Sequence, residues 1–318
     1  MIMRILVAVN GDLLSFSDHE QFFTTSQKKA LDIINSLGEL ICNNEVMITF
    51  SDETWISSLL RTHERGYFVG EQLDLDIGIA YVEGVLGYML QQNLSNWLLQ
   101  HDMHKNVVTL VTRVLVEADD SGLSHDSEGI GPFYDLERAQ VLQQTRNWQM
   151  RLVPGRGYQR VVEVLESCKI LEVETALRVL DENSVVICAG GGGIPVRREK
   201  DGSFSRVMNA LANEASSTIL LAENIKADLI VFVEPMRALY DNFPLAHEGG
   251  MYRMNLEYLE RMIAEGEVKS ALRRRLVANK KYLENWGATT VYLAPKQVPK
   301  LFNAETGVCI CDDADTCC

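Results

Sequence analysis

Short, almost wholly apolar runs alternate along the chain with longer stretches whose apolar positions recur every three or four residues. Ile5–Val9, Val46–Phe50, Val107–Val116, Ser184–Ala189, Leu229–Val233 and Thr290–Ala294 read as strands. Between them, Thr25–Asn43, Gly78–Gln100, Leu136–Trp148, Glu172–Asp181, Ala215–Ile225, Asn255–Glu265 and Ser270–Trp286 read as helices. A strand that is apolar at successive positions is buried on both faces, and strand–helix alternation is the signature of stacked βαβ units. The pattern therefore predicts an α/β protein, a three-layer αβα sandwich around a central, mainly parallel sheet. Two segments break the rhythm. Glu117–Glu128 is acidic and turn-rich and leads into Gly129–Tyr134, while Val153–Val162 reads as a turn entering a strand. Residues 117–165 are accordingly expected to form a small protruding subdomain inserted in one domain, 1–308. Residues 309–318 form a Cys/Asp-rich tail.

Composition supports a large core: 47% of the 318 residues are hydrophobic and 23% charged, enough to fold without disulfide help. With 44 acidic against 30 basic residues the net charge is −14, so the average surface repels nucleic acid and anionic membrane. It also repels phosphates unless a local basic site overcomes it. No run of about 18 apolar residues occurs. Met1–Val9 passes at once into polar Asn10-Gly11-Asp12, which marks a first strand rather than a signal peptide. The chain reads as a soluble, cytoplasmic protein with no nucleic-acid or membrane partner. Cys42, Cys168 and Cys188 lie in apolar stretches, where a thiol serves as a small hydrophobe in a reducing compartment. Cys309, Cys311, Cys317 and Cys318, interleaved with three aspartates, are a candidate site for a soft metal such as zinc or copper. Their spacing is not a standard zinc pattern, and a disordered acidic tail is the competing reading. His101 and His104, three apart, are the one candidate histidine pair.

Five stretches in one order carry a family resemblance. Gln72–Gln92, with Leu73-Asp74, Gly84, Gly87-Tyr88 and Gln91-Gln92, resembles a carbamate kinase segment. Val108–Val116, Gly129-Ile-Gly-Pro-Phe-Tyr134, Gly155-Arg-Gly-Tyr-Gln-Arg-Val-Val162 and Ala189-Gly-Gly-Gly-Gly-Ile-Pro-Val196 resemble its later motifs. The likeness covers about residues 4–308 and implies the amino-acid-kinase fold. It also implies an N-terminal lobe for a phosphoryl acceptor, a C-terminal lobe for MgATP or MgADP, and a homodimer through the N-terminal lobes. Gly78–Gln92, apolar with small residues interspersed, is the matching dimer helix.

The resemblance also implies which positions should do chemistry, and there the chain departs from the family. The first loop reads Asn10-Gly11-Asp12-Leu13, with one glycine kept and a carboxylate added. The acceptor loop is replaced by Phe50–Ile56, which brings in two carboxylates. Glu128 and Glu214 stand where the family has lysines, Ala215 replaces an orienting aspartate, Glu234-Pro235 replaces Thr-Asp, and Arg275 alone keeps a positive charge in the nucleotide loop. Catalysis of phosphoryl transfer is almost wholly positioning plus positive charge. The expectation is therefore an inactive or repurposed dimeric scaffold, regulator or sensor. The alternative is an active phosphotransferase making ATP and carbamate from carbamoyl phosphate and ADP. Glu128 and Glu214 are either a new acid/base or metal pair or the product of drift. Gly190, Gly191, Gly192 and Gly193 either hold an anion on their amides or only turn the chain. Arg156 and Arg160 either bind a carboxylate or phosphate ligand or form internal ion pairs. Ala271–Arg275 with Lys280-Lys281 is either a basic docking face or a solvated helix face.

Overall fold

The computed structural model describes residues 2–15, 22–65, 73–117, 127–243, 250–265, 270–287, 289–303 and 306–311. β1 (Arg4–Val9) runs through the middle of an eight-stranded sheet, parallel to β2 (Glu45–Phe50) on one side and β12 (Leu229–Val233) on the other. Beyond β2 lie β8 (Ser184–Ile187) and β3 (Asn106–Thr109). Beyond β12 lie β14 (Thr289–Leu293), β15 (Thr306–Ile310) and β13 (Gly250–Met254). Every pairing in this sheet is parallel except β14 with β15.

The two-residue period of a strand explains the layers. Ile5, Val7 and Val9 enter one buried cluster, Leu6 and Ala8 the other. α1 (Phe22–Asn43), α2 (Glu53–Arg65) and α3 (Leu75–Gln100) close the first cluster. α5 (Val173–Asp181), α6 (Glu214–Ile225), α7 (Met236–Asn242), α8 (Leu256–Glu265) and α9 (Ser270–Trp286) close the second. The predicted three-layer sandwich is the observed fold.

A second sheet is built on β7 (Gly157–Ile170), which pairs with β4 (Arg113–Glu117), β5 (Ser127–Tyr134), β6 (Gln149–Val153) and β11 (Ala210–Ala212). β9 (Ile194–Arg198) lies beside β4, and β10 (Phe204–Arg206) beside β9. The 117–165 stretch supplies β5, β6 and most of β7, so this sheet also draws on strands from outside it. A helix in the same region, α4 (Leu136–Arg146), stops at Asn147, whose left-handed backbone (φ 52°) ends it before Trp148.

Two further expectations are corrected, and one helix was not foreseen. Val107–Val116 is two strands in different sheets, because the chain turns at Leu110–Thr112. There Thr112 N donates to Glu83 Oε2 (3.1 Å) and Thr112 Oγ1 donates to the Leu110 carbonyl (2.9 Å). α2 was not expected at all, its apolar positions Trp55, Ile56, Leu59 and Leu60 being set among polar ones. α3 ends at Gln100 with His101 as its cap, stacked on Trp97 at 3.7 Å, so His101 and His104 do not share a helical face. Among the described residues no helix is long and apolar enough to cross a membrane.

α1 and α3 approach closely where Gly38 meets Trp97: a Cβ at 38 would lie 2.1 Å from Trp97 Cζ2. Gly38→Val is expected to lower stability by roughly 1–3 kcal/mol through overpacking. The measurement is a urea melt, which should show a lower midpoint at unchanged slope.

Candidate functional site

In an open parallel sheet, ligand clefts form at the carboxyl ends of the strands, where connections leave in opposite directions. Here those ends are Asn10 after β1, Ser51 after β2, the Gly190–Gly193 run after β8 and Glu234 after β12, and they converge with the N-terminal turns of α6 and α9. Arg275 is the hub. Its Nη1 donates to Glu234 Oε1 (2.5 Å) and its Nη2 to Glu214 Oε1 (3.1 Å), and only 12% of its side chain is exposed. Burial alone would lower the Arg275 pKa. Glu214 and Glu234 more than reverse that and hold it raised. Burial pushes the Glu234 carboxyl up while Arg275 and Asn10 oppose it, Asn10 Nδ2 donating to Glu234 Oε2 at 2.6 Å. Arg274, the next residue, donates to Glu128 Oε2 (3.2 Å) and lies 3.8 Å from Glu53 Oε1.

The sequence-derived positions Asn10, Gly11, Glu128, Glu214, Ala215 and Arg275 thus fall in one place. Gly11 N donates to Ser51 Oγ (2.7 Å), and a Cβ on Gly11 would sit 2.0 Å from the Ser51 carbonyl oxygen, so this glycine serves loop-to-loop packing. Asp12 Oδ1 accepts from Thr54 Oγ1 (2.5 Å). Ala215 is buried directly after Glu214, its N donating to Oδ1 of the helix cap Asn213.

Gly190–Gly192 makes a tight turn, with positive φ at Ala189, Gly191, Gly192 and Gly193. A Cβ on Gly191 would meet Cγ and both carboxylate oxygens of Asp52 at 2.2 Å. The space over the glycine turn is therefore filled by the protein's own carboxylate. Asp52 is 2% exposed, its Oδ2 has no hydrogen-bond partner, and burial, then Glu214 and Glu53, push its carboxyl well above the usual range. Burial, then Glu214 and Glu128, push Glu53 up to about 7. Since 44% of the Glu53 side chain is open to solvent, water screens part of that effect.

Two cavities remain. One of about 220 Å³ is lined by Asn10, Asp12, Ser51, Glu53, Glu234 and Arg275, with Leu239, Phe243, Leu272 and Tyr292 as its apolar wall. The other, about 20 Å³ between Asp52, Glu53, Gly191, Glu214, Arg274 and Arg275, has room for about one water. Six carboxyl groups, from Asp12, Asp52, Glu53, Glu128, Glu214 and Glu234, stand here against two guanidiniums already paired, with Asp52 and Glu53 pushed toward the protonated form by burial and neighbouring acids. A phosphoryl group at 4 Å from one unneutralised carboxylate meets repulsion of about 4 kcal/mol per pair of unit charges at an effective dielectric near 20. These residues do not fit the phosphates of a nucleotide. Among the described residues, no group of three or more His, Cys, Asp or Glu is placed to hold a metal ion.

The other candidates lie elsewhere. Arg156 is exposed over the Phe133 ring (4.0 Å), and Arg160 is buried on β7 over Trp148 (4.3 Å). Cys309 is enclosed in β15, Cys311 is buried and disulfide-bonded, and Cys317 and Cys318 lie outside the described residues. The basic run does not form one face, since Arg274 and Arg275 turn inward while Lys280 pairs with Glu260 and Glu284. Sequence reasoning missed Glu83, 2% exposed and without a partner for Oε1. Its place on the Ile79–Val82–Leu86 stripe of α3 was the available signal.

The fold matches that of the Giardia lamblia carbamate kinase with a TM-score of 0.86 at 20% identity, over 98% of this chain and 99% of that one. A sheet of this topology with its loops converging on one cleft is the amino-acid-kinase fold. No protein-family model matches the chain. It is 28% identical over 296 residues to the carbamate kinase of Pyrococcus furiosus, covering 92% of this chain and 93% of that one. It is 32% identical over 231 residues to the carbamate kinase-like protein YahI of Escherichia coli, covering 72% of each. The chain belongs to the carbamate kinase family.

Asp52→Asn tests the buried carboxylate. A carboxyl whose folded pKa lies above its unfolded value binds the extra proton in the folded state, so stability falls as pH rises through that interval. Asp52→Asn should therefore raise the melting temperature at pH 8 and lose most of that advantage as pH falls to about 4, where the folded carboxyl is protonated and the unfolded one is about half so. Thermal melts at both pH values check this.

Proposed function

We propose that this chain is a member of the carbamate kinase family whose inherited transfer centre has become an internal carboxylate–arginine lock. It then acts as a non-catalytic dimeric scaffold, regulator or small-molecule sensor. One observation carries the reading: Arg275, the cation kept in the nucleotide loop, is buried and clasped by Glu214 and Glu234. A phosphate would have to displace two carboxylates from it, and Asp52 fills the space over the glycine turn. Replacing attraction by repulsion at two positions costs several orders of magnitude in rate, at about 1.4 kcal/mol per tenfold.

The second reading is a phosphotransferase of the carbamate kinase type with altered residues. It is favoured by likeness over nearly the whole chain to a protein named carbamate kinase. A coupled assay of ATP formation from carbamoyl phosphate and ADP, with Mg²⁺ or Mn²⁺ in excess, separates the two. The expected outcome is no turnover above background, with a true carbamate kinase as positive control. Single restorations such as Glu214→Lys should not rescue it, because groups that act as a unit are non-additive. Robust turnover, abolished by altering Glu128 or Glu214, would establish the second reading instead.

For the dimer, α3 offers a surface: Ile77, Tyr81 and Tyr88 are 50%, 50% and 58% exposed, and a Cβ on Gly84 would meet nothing within 4 Å. Pairing this stripe with its own copy about a two-fold axis would bury it. Light scattering at micromolar concentration should give twice the chain mass, and Tyr88→Glu should shift it toward one chain.

A further inference from the structure

A third cavity, of about 260 Å³, lies beside the second sheet, lined by Arg146, Trp148, Gln149, Arg160, Glu163 and Asn209 among others. It shares no lining residue with the two cavities of the central cleft. Arg160 is 3% exposed. Its Nη2 donates to Asn209 Oδ1 (2.9 Å), but its Nη1 is buried with no hydrogen-bond partner. A buried donor on a charged group is costly to leave unsatisfied, and native structures seldom do so without a ligand or ordered water to receive it.

The surrounding charges sharpen the point. The Arg146 and Arg160 guanidiniums both lie over the Trp148 ring, at 5.3 and 4.3 Å. Glu64, which accepts from the Tyr134 hydroxyl, and Asp74, which accepts from Arg206, act on Arg160 through space without a hydrogen bond to it. Glu163, in the lining, makes no ion pair with either arginine. Burial lowers the Arg160 pKa to about 10, so the group remains a cation at neutral pH.

We propose that this cavity is a binding site for a small organic anion, whose carboxylate or phosphoryl group is held by Arg160 and Arg146. Guanidinium edges suit both kinds of oxyanion. The volume admits a molecule of metabolite size and no macromolecule. The site requires no phosphoryl transfer at the central cleft, so it stands whichever reading of that cleft holds.

The test uses the full chain, titrated with inorganic phosphate and separately with malonate at ionic strength held constant by KCl. Calorimetry and tryptophan fluorescence are followed. Saturable binding with a dissociation constant on the order of 1 mM is expected for at least one probe, and the tighter probe identifies the anionic group. Arg160→Gln should weaken it by at least about tenfold and Arg146→Ala a few-fold. Trp148→Phe should keep most of the heat while losing the fluorescence change. Arg146 is exposed and Trp148 is its described contact, so Arg146→Ala remains a fair test if Arg160→Gln folds poorly. Absence of saturation with both probes, or saturation unchanged in Arg146→Ala and in any folded Arg160→Gln, overturns the site.

Discussion

Arg275 is a guanidinium taken out of water, and a charge so placed is tolerated only when carboxylates meet it with good geometry. Glu234 after β12 and Glu214 at the first turn of α6 do so, and Asn10 after β1 braces Glu234. One cation therefore ties together the segments that follow β1 and β12 of the central sheet and β11 of the second. Removing it would strand two enclosed carboxylates. Removing either carboxylate would leave the hub under-neutralised.

The rest of the cleft follows from that balance. Arg274 answers Glu128 and Glu53 as Arg275 answers Glu214 and Glu234, so two adjacent residues of α9 serve four acids. Asp52 has no such partner, and burial, then Glu214 and Glu53, raise its pKa with no arginine to oppose them. The glycines beneath are held by packing that now belongs to the protein itself: the Phe50 ring lies over Gly190 and the Asp52 carboxylate over Gly191. A glycine turn of this kind can bind an anion with its amides. Here the group over the turn is the chain's own Asp52 carboxyl.

The second sheet poses the opposite electrostatic problem. The central cleft has more buried acid than base, whereas the Trp148 cavity has a buried guanidinium with an unused edge and no acid bound to it. The two regions are separate in their lining and opposite in charge.

The parallel sheet and its two helical layers were legible in the sequence because Ile5–Val9, Val46–Phe50 and Leu229–Val233 are apolar at successive positions, and only burial on both faces calls for that. The collinear motifs pointed to the family, and that resemblance made Glu128 and Glu214 expected charge reversals. Periodicity could not show that Val107–Val116 divides between two sheets, since Thr112 anchors the turn to Glu83, a residue about thirty positions away. Nor could it reveal α2, whose apolar stripe is short and which is held by packing on α3 and β5. That Glu128 meets Arg274, that Glu214 and Glu234 share Arg275, and that Arg160 stacks on Trp148 with one edge unpaired are facts about side chains far apart in sequence. Local pattern is set by which face of a strand or helix meets water, so the sequence alone determines it. Charge pairing depends on which loops the folded sheet brings together, and that only the tertiary structure decides.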